Sequence, residues 1–185
     1  MSLDNQEIIL GAGEVFMYEY SGTTIPEHAT IETDANNVGY CSGGFAIDYK
    51  PDKYDVTNQY GNVVKSFITK EEITAKTGIL RWKLENLELL STATFVADKV
   101  KKTRTLTFGG GGSLKTVLVR FVHEKENGKK LRFTMIAQGG NGFAMEFSDK
   151  ELSVDAELTA IEYIKNYLAS FEEELTDEEA AALPE

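Results

Sequence analysis

The chain has 185 residues, 42% of them hydrophobic, and a formal net charge of −11. That length suits one domain with extensions, and no apolar run approaches the ~20 residues of a membrane span. The acidity argues against tight nucleic-acid binding, which needs a net cationic footprint.

The charge is uneven. Residues 99–132 hold ten bases and two acids, whereas residues 171–185 hold seven acids and no base. The basic middle reads as a solvated strand face or as a surface that meets an acidic face of another copy. The start, "MSLDNQEIIL", has no basic region followed by an apolar one, so no secretory signal is read there. The single cysteine, Cys41, excludes an internal disulfide framework and suits a reducing compartment.

Taken along the chain, β-forming stretches dominate. "EVFMYEY" (14–20) is a strand after the Gly11-Ala12-Gly13 break. "GTTIPEHATIETDANN" reads as loop. "GGFAIDYK" alternates Phe45, Ile47 and Tyr49 with polar residues, a half-buried strand that Pro51 is expected to interrupt. "KYDVTNQY" and "VVKSFITKEE" flank Gly61-Asn62, a two-residue hairpin loop. "ITAKTGIL" continues as strand. "RWKLENLELLS" predicts a helix over about 83–91, with Leu80, Leu84 and Leu87 on one stripe.

In the second half, "TRTLTF" is a strand, and the glycine run Gly109–Gly112 with Ser113 joins it to "TVLVRFVHE". That run is no phosphate loop: Leu114 stands where a glycine must precede the lysine, and a strand follows instead of a helix. "TVLVRFVHE" and "KKLRFTMIAQ" form a hairpin turning at Asn127-Gly128. "GGNG" (139–142) is a further turn, and "FAMEFS" and "KELSVDAELTAIEYI" are strands. Residues 164–185 read as an acidic helix or frayed extension.

The hairpin from about 48 to 77 is unusual. It is polar on both arms, yet it carries Tyr54, Val56, Tyr60, Val64 and Phe67. A two-stranded hairpin is marginal in water, and open strand edges must be covered. An arm that projects and packs on another subunit satisfies both conditions, so these five residues are the candidate inter-subunit contacts.

Chemistry is sparse. His28 and His123 with Cys41 cannot assemble a zinc site without carboxylates. "DANNVG" fails as a calcium loop, with Val38 and Phe45 where oxygen donors are needed. Cys41 has no basic neighbour to activate it, and Trp82 and the tyrosines suit core and interface. No catalytic, cofactor or metal residues are assigned, and no enzymatic activity is expected.

The order of segments resembles the tail tube (major tail) proteins of tailed bacteriophages and prophages, over roughly Gly11 to Ile161. The resemblance lies in "ILGAGEVFMYEY", "VGYCSGGFAIDYKPDKYDV", "EEITAKTGILRWKLENLELL", "TLTFGGGGSLKTVLVRFVHEKENGKKLRFTMIAQ" and "FSDKELSVDAELTAI". It implies a mainly β fold, a β-sandwich or small barrel with one flanking helix, in residues 1–163, followed by the acidic extension 164–185. It also implies hexameric rings stacked into a tube that passes DNA without gripping it, built in the host cytoplasm and residing in the virion tail. Its implied partners are other copies, initiator and terminator proteins and, in a contractile tail, a sheath, with no membrane and no cofactor. The competing reading is a monomeric β-sandwich that binds carbohydrate or peptide, for which Tyr49, Tyr54 and Tyr60 would have to form one aromatic platform.

Overall fold

The computed structural model describes residues 12–79, 83–139, 142–147, 149 and 154–183. The architecture is mainly β. Its centre is the hairpin of β6 (Thr116–Glu124) and β7 (Lys130–Gln138), paired over nine residues each. Residues on both faces of β6 are buried, because both faces of this hairpin are covered. Val117, Val119, Phe133, Met135 and Ala137 enter one core, while Leu118, Val122 and Ile136 enter a second on the opposite face. Alternation along the strand therefore separates two buried sets, one apolar and one that mixes Leu118, Val122 and Ile136 with Arg120, Arg132 and Thr134. The turn is five residues, Lys125 to Lys129, with Asn127-Gly128 inside it. The Lys129 amide donates to Asn127 Oδ1 at 2.9 Å, and Gly128 has φ +76°, a left-handed conformation that only glycine enters freely.

The other strands extend this hairpin. Strand β1 (Glu14–Glu19) pairs with β6, and β2 (Asn37–Thr57) pairs with β1. Strand β3 (Val63–Ile79) returns along β2, and β9 (Val154–Ala160) pairs with β3. The short β8 (Phe143–Met145) lies outside β9, and β10 (Ala169–Glu173) lies on the far edge of β7. Every pair is antiparallel. The order is β10-β7-β6-β1-β2-β3-β9-β8, and the sheet curls so that β7 also touches β9 through Ala137–Ala160 and Gln138–Thr159. Two pairs do not close the sheet along its length, so the curl is sandwich-like and not a sealed barrel.

Helix α2 (Leu84–Leu89) caps the inner core with Leu87, assisted by Leu90 just beyond it. It is shorter than expected; Leu80 and Trp82 lie outside the described residues. The outer core is covered by the short helix α1 (His28–Ile31), through Ile31, and by Ile161, Ile164 and Tyr167. Strands β4 (Thr94–Asp98) and β5 (Thr103–Thr107) form a separate two-stranded sheet beside α2.

Several expectations change. Pro51 does not interrupt β2, which runs through it opposite Glu71. Among the described residues the outer side of β2 beyond Tyr40 has no strand neighbour, so a missing N–H on that side removes no ladder bond. The segment 22–37, which reads as loop in the sequence, contains α1, one turn long, and ends at the first residue of β2. The loop at Gly61-Asn62 spans Asn58–Asn62, because Asn58 Oδ1 accepts from the Tyr60 and Asn62 amides at 3.0 Å each. Gly109–Ser113 does not turn one hairpin: β5 pairs with β4, and the glycine run carries the chain across to the main sheet. The acidic extension is neither wholly helical nor frayed. It contributes β10, because its Ala169–Glu173 stretch finds the free edge of β7, and only then the helix α3 (Asp177–Ala181), started by a Thr176–Glu179 capping box.

Leu118 is fully buried between β1 and β7. Leu118→Ala should cost about 2–5 kcal/mol, read as a lower urea midpoint at unchanged slope, whereas Val100→Ala, at a site 93% exposed, should stay within about 0.5 kcal/mol.

Candidate assembly surface

Strands β2 and β3 continue well past the sheet. Strand β1 covers β2 only as far as Tyr40, and β9 covers β3 only from Thr74. Residues between Tyr49 and Ile73 therefore form a two-stranded arm with no third strand among the described residues. Nine residues from Tyr49 to Thr57 carry it about 27 Å, at about 3.4 Å per step.

The arm holds the five expected contact residues. Tyr54 is 63% exposed, Tyr60 79%, Val64 61% and Phe67 47%; Val56 is half-buried. Tyr54 sits opposite Phe67 and Val56 opposite Lys65, and directly opposed residues share a face. Tyr54, Val56 and Phe67 thus form one patch, with Lys65 Nζ 4.7 Å from the centre of the Phe67 ring. Val64 sits at a register shift between Val56 and Thr57, and Tyr60 sits in the turn. The structure brings three of the five together and spreads the other two towards the tip.

The reverse face of the arm is mixed, with the exposed Ile68 opposite Lys53 beside polar residues. Ser66 Oγ donates to Asp55 at 2.5 Å and Lys53 lies 3.4 Å from it. The Ser66 hydrogen bond, helped by Lys53, holds the Asp55 carboxyl below its ordinary range. Val63 and Ile68, exposed and apolar, also lie on the arm and escaped the sequence reading. Their signal was present as an apolar residue beside each one already chosen. The three tyrosines do not form one platform. Strand alternation puts Tyr49 and Tyr54 on opposite faces of β2, and Tyr60 is in the turn.

The outer face of β6–β7 carries a feature that the sequence reading missed altogether. Arg120 and Arg132 have side chains only 2% and 4% exposed. Arg132 Nε donates to Glu32 Oε1 at 2.6 Å, and its Nη1 donates to Glu174 at 2.5 Å. Arg120 donates to the same Glu32 oxygen at 3.3 Å and to Thr134 at 2.9 Å. Lys130 reaches the other Glu32 oxygen at 3.3 Å, and the buried Lys125 ammonium pairs with Glu173. His28 Nδ1 accepts from Arg120 at 2.7 Å while its Nε2 faces Glu172 at 2.8 Å. Burial alone would raise the Glu32 carboxyl, but the hydrogen bonds and charges of Arg132 and Lys130 outweigh it and hold it low. Glu174 is held low mainly by its Arg132 hydrogen bond.

The basic middle segment is therefore largely neutralised within the chain. Lys115 is also engaged, by Glu88 at 3.0 Å and Glu19 at 3.3 Å. The expectation that the segment as a whole faces another copy gives way: among the described residues, seven of its ten bases lie within ion-pair distance of this chain's own carboxylates.

His123 is buried and donates from Nδ1 to the Ala12 carbonyl at 2.5 Å. It does not line the nearby hollow of about 500 Å³, where Glu14, Glu32, Asp34 and Glu124 surround Lys130. Among the described residues no three His, Cys, Asp or Glu side chains are placed to hold a metal ion, and no helix is long and apolar enough to cross a membrane. A shallow groove of about 610 Å³ crosses β2, β3, β9 and β8, floored by Gly44, Ala46 and Ala156. No known family model matches the chain, and no curated protein sequence matches it.

Carboxyls held low in the folded chain contribute stability that is complete above the ordinary value of 4.5 and is lost as pH falls through their lower folded values. Glu32→Gln leaves Arg120 and part of Arg132 buried without a counter-charge and should cost about 3 kcal/mol or more at pH 7. Urea titrations at pH 7, 4 and 3 check both points. The variant should start lower and lose less on acidification than the parent; equal acid losses would remove Glu32 from the account.

Proposed function

We propose that this chain is a structural subunit that assembles with copies of itself, and that the assembly is a phage or prophage tail tube. The observation that carries the reading is the arm. A two-stranded ribbon is marginal alone, and this one holds Tyr54, Phe67, Val63, Val64 and Ile68 half or more exposed or nearly so. A second protein surface laid on the patch removes apolar area from water, at roughly 25 cal/mol per Å². A chain that donates an arm and receives its neighbour's uses a heterologous contact, which closes into rings or propagates into tubes. The ordered series of segments that resembles tail tube proteins supports the choice of tube.

On this reading the subunit has no turnover and no cofactor. The arm supplies contact between copies, and the curled sheet supplies the rigid body that sets its angle. DNA passes through the lumen without retention, because the net charge of −11 leaves few cations to pair with phosphates.

Negative-stain electron microscopy across a concentration series tests the proposal. The parent protein should give rings or hollow tubes. Deletion of Asp52–Thr69 should give a folded monomer, since the deleted residues contribute none of the buried core. Unimpaired tubes from the deletion would refute the role of the arm, and an obligate monomer that binds glycans would favour the competing reading.

A further inference from the structure

One cluster of the basic segment is only weakly paired within the chain. It is the turn between β4 and β5, "DKVKKT". Lys99, Lys101, Lys102 and Arg104 are all exposed there, and Val100 between them is 93% exposed. Among the described residues no carboxylate lies within ion-pair distance of Lys99 or Lys102. Lys101 has only Asp98, at 3.8 Å, and Arg104 only Glu85, at 3.7 Å. Asp98 is committed to the turn itself: its Oδ1 accepts from the Val100 and Lys101 amides at 2.9 Å each. The tip is thus a shaped turn.

Its backbone holds a further indication. Lys102 has φ +53°. Glycine occupies such left-handed positions without steric cost, and lysine does not. A charge held at a strained position points from geometry towards use.

The complementary surface lies at the other end of the same molecule. Strand β6 starts beside α2, where Lys115 meets Glu88 on that helix, and ends at the turn beside β10 and α3, where the Glu174 amide donates to the Lys130 carbonyl. The β4–β5 sheet contacts α2 and belongs to the first end. Helix α3, with exposed Asp177 and Glu178 and with Leu183 60% exposed just beyond it, belongs to the second. The Glu179 carboxyl, held low chiefly by its Thr176 amide hydrogen bond, also feels Lys125 and Lys129 of the β6–β7 turn. Nine residues of β6 separate the two ends by about 27 Å.

We infer that the β4–β5 tip is a docking surface whose partner is the acidic α3 segment of a second copy. Opposite charges at opposite ends join copies head to tail, with Lys99, Lys101 and Lys102 against Asp177 and Glu178, and Val100 against Leu183. The contact is heterologous and sets the polarity of stacking. Each exposed pair is worth little singly and is screened by salt. Repetition around a ring makes the sum count. The inference rests on the self-assembly proposed above and names a second contact beside the arm.

Zero-length carbodiimide cross-linking of the full chain tests it. An equal mixture of ¹⁴N- and ¹⁵N-labelled protein, analysed by mass spectrometry, should give mixed-isotope peptides joining Lys99, Lys101 or Lys102 to Asp177 or Glu178. The triple variant K99E/K101E/K102E should cut their assembly at least tenfold, and D177K/E178K in the same chain should restore it. Absence of the mixed-isotope links, or no restoration by the charge swap, overturns the inference. Duplex DNA is the other partner a cationic tip could take. A gel shift at about 0.15 M salt that the triple variant abolishes, with assembly unaffected, also overturns it. Tubes without these links sink this contact alone, whereas linked copies that never form rings or tubes sink the tube reading alone.

Discussion

Arg132 is a charge buried in the middle of a sheet, and the structure around it follows from the need to neutralise that charge. An unpaired guanidinium there would be severely costly. Glutamates from two distant segments converge on it: Glu32 from beyond α1, and Glu172 and Glu174 from the strand at the other end of the sequence. Their convergence places the cover of the outer core. Helix α1 is drawn over Phe16 and Leu118, and β10 is fixed against the edge of β7, where the Phe171 ring packs tilted against Phe133 with centroids 4.8 Å apart. Without those pairs the acidic strand would repel itself and leave the β7 edge open. The cluster is better understood as fixing which segment lies where than as a large net source of stability, since buried ion pairs roughly balance their own desolvation.

The periodic parts of the fold were legible in the sequence. β6, β7, β9 and the arm announce themselves by alternation and by Asn-Gly or Gly-Asn turns, because side-chain period and turn chemistry are local properties. The apolar patch of Tyr54, Val56 and Phe67 was legible for the same reason: apolar residues in an otherwise polar hairpin lack a local explanation. What could not be read was set by partners far away in the chain. "ASFEE" within residues 169–173 looks helical by propensity and becomes a strand because β7 has a free edge. Arg120, Lys125, Arg132 and Glu32 look like surface charges in sequence and are buried because they meet one another across up to a hundred residues. The two strands flanking the glycine run look like one hairpin, yet they belong to different sheets.

The arm and the body are made from the same two strands. At the base, Phe45, Ile47 and Ile73 pack on the inner core; a few residues further on, the same ladder stands alone. A load on the arm is therefore carried directly along β2 and β3 into the core, with no hinge between. The register shifts between Asp52 and Lys53 and between Val56 and Thr57 add local twist. They aim the exposed patch without breaking the ladder. Such bulged, charged and proline-bearing strands also resist indiscriminate edge pairing.

Strand β10 follows every other strand in the order of synthesis. When the ribosome has released β6 and β7, the Lys125 and Arg132 charges already exist, Glu32 is already present, and Glu173 and Glu174 are not. A nascent chain at that stage holds a sheet with one unclosed edge and a cationic groove only half satisfied. Emergence of the acidic segment both neutralises the groove and caps the edge. The newborn chain thus passes through a sticky interval that ends only when its own trailing glutamates arrive, and a translational pause between Gln138 and Ala169 would lengthen that interval without altering a single contact of the finished fold.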